Sequence, residues 1–187
     1  MKIIPMFEDF LTEKTEDSYE AGCAMLYFDF PKISDIHSKI NEDDLYTEEE
    51  DRSYGLEDEP HCTLLYGLDP NVTLNQVTQK INDNIFSPLL ATNASLFEND
   101  KYDVLKFDMR YPTKGEAFLH KCNKSLCELP YKTDYPDYHP HMTIAYLKPG
   151  MGKKYVDMLK NEEYELEPQH AVYSEANGTK TKIKINK

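Results

Sequence analysis

Tryptophan is absent from the 187-residue chain, so contacts that need an aromatic ring fall to its 14 Tyr, 8 Phe and 6 His. Basic residues are scarce. Against 34 Asp and Glu stand 21 Lys and Arg, a formal net charge of −13. A chain this acidic lacks the electropositive footprint that a long nucleic acid requires, although a local pocket can oppose the global field. No apolar run approaches the ~20 residues of a membrane span, so no membrane partner is expected. The apolar start, Met1 to Phe7, meets Glu8 and Asp9 at once, unlike a secretory signal. The four cysteines, Cys23, Cys62, Cys122 and Cys127, show no CxxC pairing, so neither a zinc site nor a redox motif is indicated. Cys62 in an apolar run and Cys122 in a helical pattern read as buried free thiols in a reducing cytosol, and a cytoplasmic protein is expected.

What is present is a core. Hydrophobic residues make up 40% of the chain, too many for a disordered segment, and the length suits one domain. Residues 1–18 read as a polar tail and 19–187 as the domain. Residues 21–30 and 61–68 read as strands, and 73–86 as a helix with Leu74, Val77, Ile81 and Ile85 at helical spacing. Strands follow at 92–98 and 102–109 around an Asn99-Asp100 turn, then a helix at 116–128 and a strand at 141–147. A helix at 152–162 precedes a closing hairpin, 165–175 and 179–186, turned at Asn177-Gly178. In its last arm Lys180, Lys182 and Lys184 share one face, read as a solvated edge, and Thr181, Ile183 and Ile185 the other. The acidic stretch 41–59 reads as a solvated loop or short helix, or as a lid. Strands and helices mixed with hairpins favour an α+β fold over a doubly wound parallel sheet.

One pattern recurs. Pro60-His61-Cys62-Thr63-Leu64-Leu65-Tyr66 and Pro140-His141-Met142-Thr143-Ile144-Ala145-Tyr146 share Pro, His, Thr, an aliphatic residue and Tyr at identical offsets, 80 residues apart. On a strand, residues i and i+2 face the same side, ~6.5–7 Å apart. His61 and Thr63 therefore point one way, as do His141 and Thr143. The same parity turns Tyr66 and Tyr146 the other way, into the core. Two imidazoles and two hydroxyls brought together suit phosphodiester chemistry that needs no metal or other cofactor. One neutral imidazole removes a proton from the attacking hydroxyl or water, and the other, as imidazolium, protonates the leaving oxygen. The threonine hydroxyls donate to the phosphoryl oxygens as charge accumulates.

The pair His61-x-Thr63 and His141-x-Thr143 resembles the signature of the two-histidine (2H) phosphoesterase superfamily. That group includes 2′-5′ RNA ligase-like proteins, RNA 2′,3′-cyclic phosphodiesterases, and phage enzymes that destroy cyclic oligonucleotide immune signals. The resemblance covers most of the chain. It implies a bilobal α+β fold: two pseudo-symmetric antiparallel sheets with flanking helices around a central cleft, each carrying one motif. It implies catalytic roles for His61, Thr63, His141 and Thr143, and a small or cyclic oligonucleotide, or a 2′,3′-cyclic phosphate, as substrate. Tyr54-Gly55-Leu56-Glu57 also resembles phage members, and Phe7 to Glu13 resembles leaders of some tailed-phage proteins, which would place the enzyme in a host cytoplasm. The alternatives are a nucleotide-binding or virion-associated module without turnover, and RNA 2′-5′ ligation or end processing.

Further candidates flank the motifs. Tyr27, Tyr131 and Tyr138 are candidate base-stacking residues, and His139 a residue of the pocket edge. A His139-x-His141 pair has zinc-ligand spacing but no third ligand, so no metal is expected. His37, His120 and His170 lie outside the motif and read as structural.

Overall fold

The computed structural model describes residues 21–49, 54–112, 117–133 and 137–187. The predicted tail, 1–18, lies outside them. Seven strands run β1 (Gly22–Asp29), β2 (His61–Leu68), β3 (Leu89–Glu98), β4 (Asp103–Arg110), β5 (His141–Leu147), β6 (Tyr164–Ser174) and β7 (Lys180–Ile183). Four helices intervene: α1 (Ile33–His37), α2 (Leu74–Asn82), α3 (Phe118–Leu126) and α4 (Lys153–Leu159). No helix among the described residues is long and apolar enough to cross a membrane.

Every strand pair is antiparallel, in the order β2-β1-β6-β3-β4-β5 with β7 also on β6. The long β6 divides this order into two lobes. Tyr164 to Leu166 pair with β3, and the rest of β6 pairs with β1 and β7. The first lobe is thus β2-β1-β6-β7 and the second β6-β3-β4-β5. Their outer strands, the two that carry the motifs, lie against each other.

Helices cover one face of each lobe. In the first, α2 and α3 pack together over β6 and β2; in the second, α4 covers β3 and α1 touches β5. The periodicity of 73–86 explains α2. Val77 and Ile81 are fully buried, each burial contributing ~1.5–3 kcal/mol. Thr73 closes a capping box with Gln76, and the helix ends at Asn82, four residues before the pattern does. Ile85 is 70% exposed, outside the apolar stripe that the spacing assigned to it. The short α1 was not evident from the sequence, and five residues are too few for periodicity to register.

The acidic stretch is neither a free loop nor a lid in the described residues. Glu42–Asp44 form a 3-10 turn. Leu45 bridges to Leu147 and Leu56 to Ala145, and the backbones of Tyr46, Gly55 and Glu57 bond to Tyr146 and Ile144. The segment therefore caps the outer edge of β5, an edge that would otherwise present unpaired backbone groups.

Both motif strands carry a β-bulge at the same offset. Ala24 pairs with Leu65 and Met25 with Thr63, so Leu64 is extra; Leu105 pairs with Ala145 and Lys106 with Thr143, so Ile144 is extra. A bulge leaves backbone groups outside the ladder, and side chains meet them here. Asn123 Nδ2 donates to the Leu64 carbonyl at 2.7 Å, and His37 Nε2 donates to the Ile144 carbonyl at 3.0 Å. His37 is thus structural, as its place outside the motif suggested. A further irregularity at Gly67 needs glycine. Its φ is +94°, and a Cβ there would come 1.9 Å from the Lys132 carbonyl oxygen. Asn123→Ala strands a buried carbonyl and is expected to cost about 1–3 kcal/mol of stability. Urea denaturation checks it: a lower midpoint at unchanged slope, with exposed Lys124→Ala as the neutral comparison.

Candidate active site

Proline opens both motif strands. Lacking an N–H, Pro60 and Pro140 enter the ladder only as acceptors: Phe28 N donates to the Pro60 carbonyl and Met109 N to the Pro140 carbonyl, each at 3.0 Å. The chain then turns so that the carbonyl two residues before each histidine meets its ring. His61 Nδ1 lies 2.8 Å from the Glu59 carbonyl oxygen, and His141 Nδ1 lies 2.9 Å from that of His139. A carbonyl only accepts, so each Nδ1 carries a hydrogen. In the neutral ring Nε2 is then the basic nitrogen, and in the cation it is the donor. Both imidazoles are held alike by a backbone carbonyl at Nδ1.

The bulges decide what surrounds them. Cys62, Leu64, Met142 and Ile144 enter the main core. His61 pairs with Tyr27 and Thr63 with Met25, while His141 pairs with Asp108 and Thr143 with Lys106. These residues occupy the sheet faces opposite that core. Beyond each bulge the parity flips. Tyr66, paired with Cys23, joins a small cluster with Met25 and Val172, and Tyr146, paired with Val104, joins Tyr54 and Tyr102. Both tyrosines therefore share the His-Thr side of their sheets, against the strict alternation expected from the sequence. Tyr146 is nonetheless buried, in a cluster of aromatic rings.

Core-side contacts bring the two motifs together. Tyr138 Oη donates to the Thr63 carbonyl at 2.9 Å and lies 3.9 Å from Cys62 Sγ. The Cys62 thiol in turn meets the backbone of His141. Burial pushes that thiol's pKa up to about 12, and burial does the same to Cys122, so neither is a nucleophile at neutral pH.

The two halves differ in chemistry. In the first lobe the Tyr27 ring stacks between His61 and His170, with centroids 5.3 Å away on both sides. Burial, then Glu59 and Glu57, raise its pKa. Burial lifts the Glu57 carboxyl above the ordinary range, with the His61 charge opposing. In the second lobe Lys106 is 7% exposed. Its Nζ donates to Ser95 Oγ at 2.8 Å and Asp108 Oδ1 at 2.9 Å, above the Phe97 ring. Burial pushes the Asp108 carboxyl up, but hydrogen bonds from Asn93 and Lys106 outweigh it and hold it low. Phe97 meets His141 edge-on, with centroids 5.0 Å apart. The Lys106 ammonium across from Thr143 is paired with the Asp108 carboxylate across from His141, so the two charges oppose each other at that end of the site.

The flanking candidates separate. Tyr27 belongs to the site, but both ring faces are covered by imidazoles. Its edge and hydroxyl, not a face, are what it offers a ligand. Tyr138 lies on the core side, spending its hydroxyl on the motif backbone and its ring on His120, so the stacking role expected of it does not fit. Tyr131 bridges to Leu68, seven residues along β2 from His61 and so ~20 Å away; it is not a site residue. His139 is exposed and contributes its carbonyl. Among the described residues no three His, Cys, Asp or Glu side chains are placed to hold a metal. Lys106, Asp108 and Phe97 were not singled out from the sequence, and Glu57 was named only within the phage-like segment and not as a site residue. They sit on partner strands or on the edge segment, and only register brings them to the histidines. His170, read as structural, also faces this side.

The helix-backed, two-lobed antiparallel fold with one His-x-Thr strand per lobe is the fold that the sequence resemblance implied. No family model and no curated protein sequence matches the chain. Solved structures match it by shape. Usb1 of Kluyveromyces marxianus superposes with a TM-score of 0.58 at 11% identity, over 88% of this chain and 98% of that one. The same protein with uridine monophosphate gives 0.55 at 11% identity, over 89% and 98%. LigT of E. coli in its apo form gives 0.50 at 13% identity, over 89% and 99%.

Proposed function

We propose that the chain is a metal-independent phosphodiesterase acting on a short or cyclic oligonucleotide, with His61 and His141 as the general acid–base pair. The observation that carries this is the matched tethering of the two imidazoles, each with Nδ1 on the carbonyl two residues back. With Nδ1 committed to the carbonyl, Nε2 is the proton-transfer nitrogen of each ring, one as base and one as acid. In the forward reaction the ribose 2′-oxygen attacks phosphorus and its proton passes to one Nε2. The P–O5′ bond breaks, and the other Nε2–H protonates O5′. The products are a 2′,3′-cyclic phosphate and a 5′-hydroxyl. Water opening a 2′,3′-cyclic phosphate uses the same two groups with the roles exchanged. Thr63 and Thr143 donate to the non-bridging oxygens, with the Lys106–Asp108 ion pair beside Thr143 and His141.

The net charge of −13 supports a short substrate over a long RNA. The solved Usb1 with uridine monophosphate, a neighbour in shape, supports a nucleotide in this fold. The likeness of Tyr54 to Glu57 to phage members favours destruction of a cyclic-nucleotide immune signal in a host cytoplasm.

The pH–rate profile tests the mechanism. A bell is expected, persisting in EDTA, with one limb lost in His61→Ala and the other in His141→Ala. A profile with both limbs intact in both variants contradicts the assignment, as does activity that EDTA abolishes and zinc restores.

A further inference from the structure

The His-Thr side of the first lobe continues beyond its catalytic strand. Across the sheet, His61 pairs with Tyr27 and Tyr27 with His170; one step along β6, Val172 pairs with Lys182 and Ser174 with Lys180. Val172 packs with Cys23 and Met25 on this side, whereas Ile183 enters the main core. Lys182 and Lys180 therefore project from the same face as His61. Lys182 also stands close enough to His170 to add to burial in lowering that imidazole's pKa. Three strand spacings separate β2 from β7, ~14 Å, more than a single phosphate group spans.

The two lysines are unusual for this molecule. The chain is strongly acidic, yet residues 179–187 hold four lysines and no Asp or Glu. Lys180 and Lys182 are exposed, and neither forms an ion pair within the described residues. Carboxylates stand nearer the catalytic end of this face: Glu57 and Glu59 act on Tyr27, and Glu59 also on His170. Lys182 and Lys180 lie beyond them, on β7.

We infer that Lys180 and Lys182 form a second phosphate subsite, reached from the catalytic pair over the edges of Tyr27 and His170. The substrate is accordingly an oligonucleotide, linear or cyclic, with at least one phosphate besides the scissile one, rather than a mononucleotide 2′,3′-cyclic phosphate. This rests on the proposed function, but binding tests it without turnover. The probe is a fluorescein-labelled deoxythymidine trimer, which lacks the 2′-hydroxyl needed for internal cleavage. Thymidine 3′-monophosphate serves as competitor. Lys180→Gln/Lys182→Gln is expected to weaken trimer binding about tenfold and to lower the log–log salt slope by about 0.7, the loss of one neutralised phosphate on a single strand. The competition constant of the monophosphate stays unchanged. Lys182→Glu is expected to weaken the trimer further. Wild-type protein that fails to bind the trimer overturns the inference. So does a double variant that leaves trimer affinity and salt slope unchanged, or one that weakens trimer and monophosphate equally. A lysine effect on binding in a protein without turnover would leave the subsite standing and remove the enzymatic function.

Discussion

Replacing either His61 or His141 with alanine is expected to lower kcat/KM by ~10²–10⁴, the usual worth of one positioned proton transfer. The matched geometry predicts losses of similar size, because both rings are held by the same backbone contact. The double variant should lose far less than the product of the two, since acid and base act on one transition state and the second removal finds little left to disrupt. Single-turnover measurements on a dinucleotide give these rates free of product release. A single variant with near-wild-type turnover would mean that its imidazole carries no proton in the reaction. Asn in place of histidine gives a polar control: it restores packing but not proton transfer, so activity should stay low.

Thr63→Val and Thr143→Val are expected to lower kcat by ~10²–10³ each, the range for loss of one donor to a developing oxyanion. Valine is close in shape, so the loss reports the hydroxyl. Serine should recover most of it. Thr143 should show the larger effect. It is 6% exposed, paired across the ladder with buried Lys106, in surroundings where water replaces a lost donor poorly. Substrate affinity should change much less than kcat, because the donors meet their full charge only in the transition state. Equal losses in KM and none in kcat would make the threonines ground-state binding groups.

The repeated Pro-His-x-Thr-aliphatic-x-Tyr pattern made both motif strands and their pseudo-symmetry visible in the sequence, because a period-2 strand with one buried face leaves a readable trace. The amphipathic α2 and α3 and the Asn177-Gly178 hairpin were visible for similar local reasons. Tyr66 and Tyr146 show where local reading ends. An extra residue in one strand is defined only against its partner, and no residue at Leu64 or Ile144 announces it. The bulge then flips the side chains that follow it, until the irregularity at Gly67 turns β2 back. Lys106 and Asp108 escaped notice because two charges in an apolar β4 look like solvent-facing positions. Only pairing with Thr143 and His141 makes them neighbours of the site. Tyr138 and Tyr131 misled in the opposite sense. Proximity in sequence to His141 is no guide when one ring turns to the core side of β2 and the other bridges to that strand's far end.

His61 and His141 are proposed to cleave together a phosphodiester of a short oligonucleotide. The direct measurement is product analysis by chromatography with mass detection, in EDTA, over a panel. That panel holds cyclic di- and trinucleotides, 2′,5′- and 3′,5′-linked dinucleotides and 2′,3′-cyclic mononucleotides, with wild type set beside His61→Ala/His141→Ala. Wild type is expected to open at least one of the linked or cyclic oligonucleotides, leaving cyclic-phosphate or hydrolysed ends, and the folded double variant to open none. Folded wild-type protein that leaves the whole panel intact, or a double variant that cleaves at the wild-type rate, would contradict it.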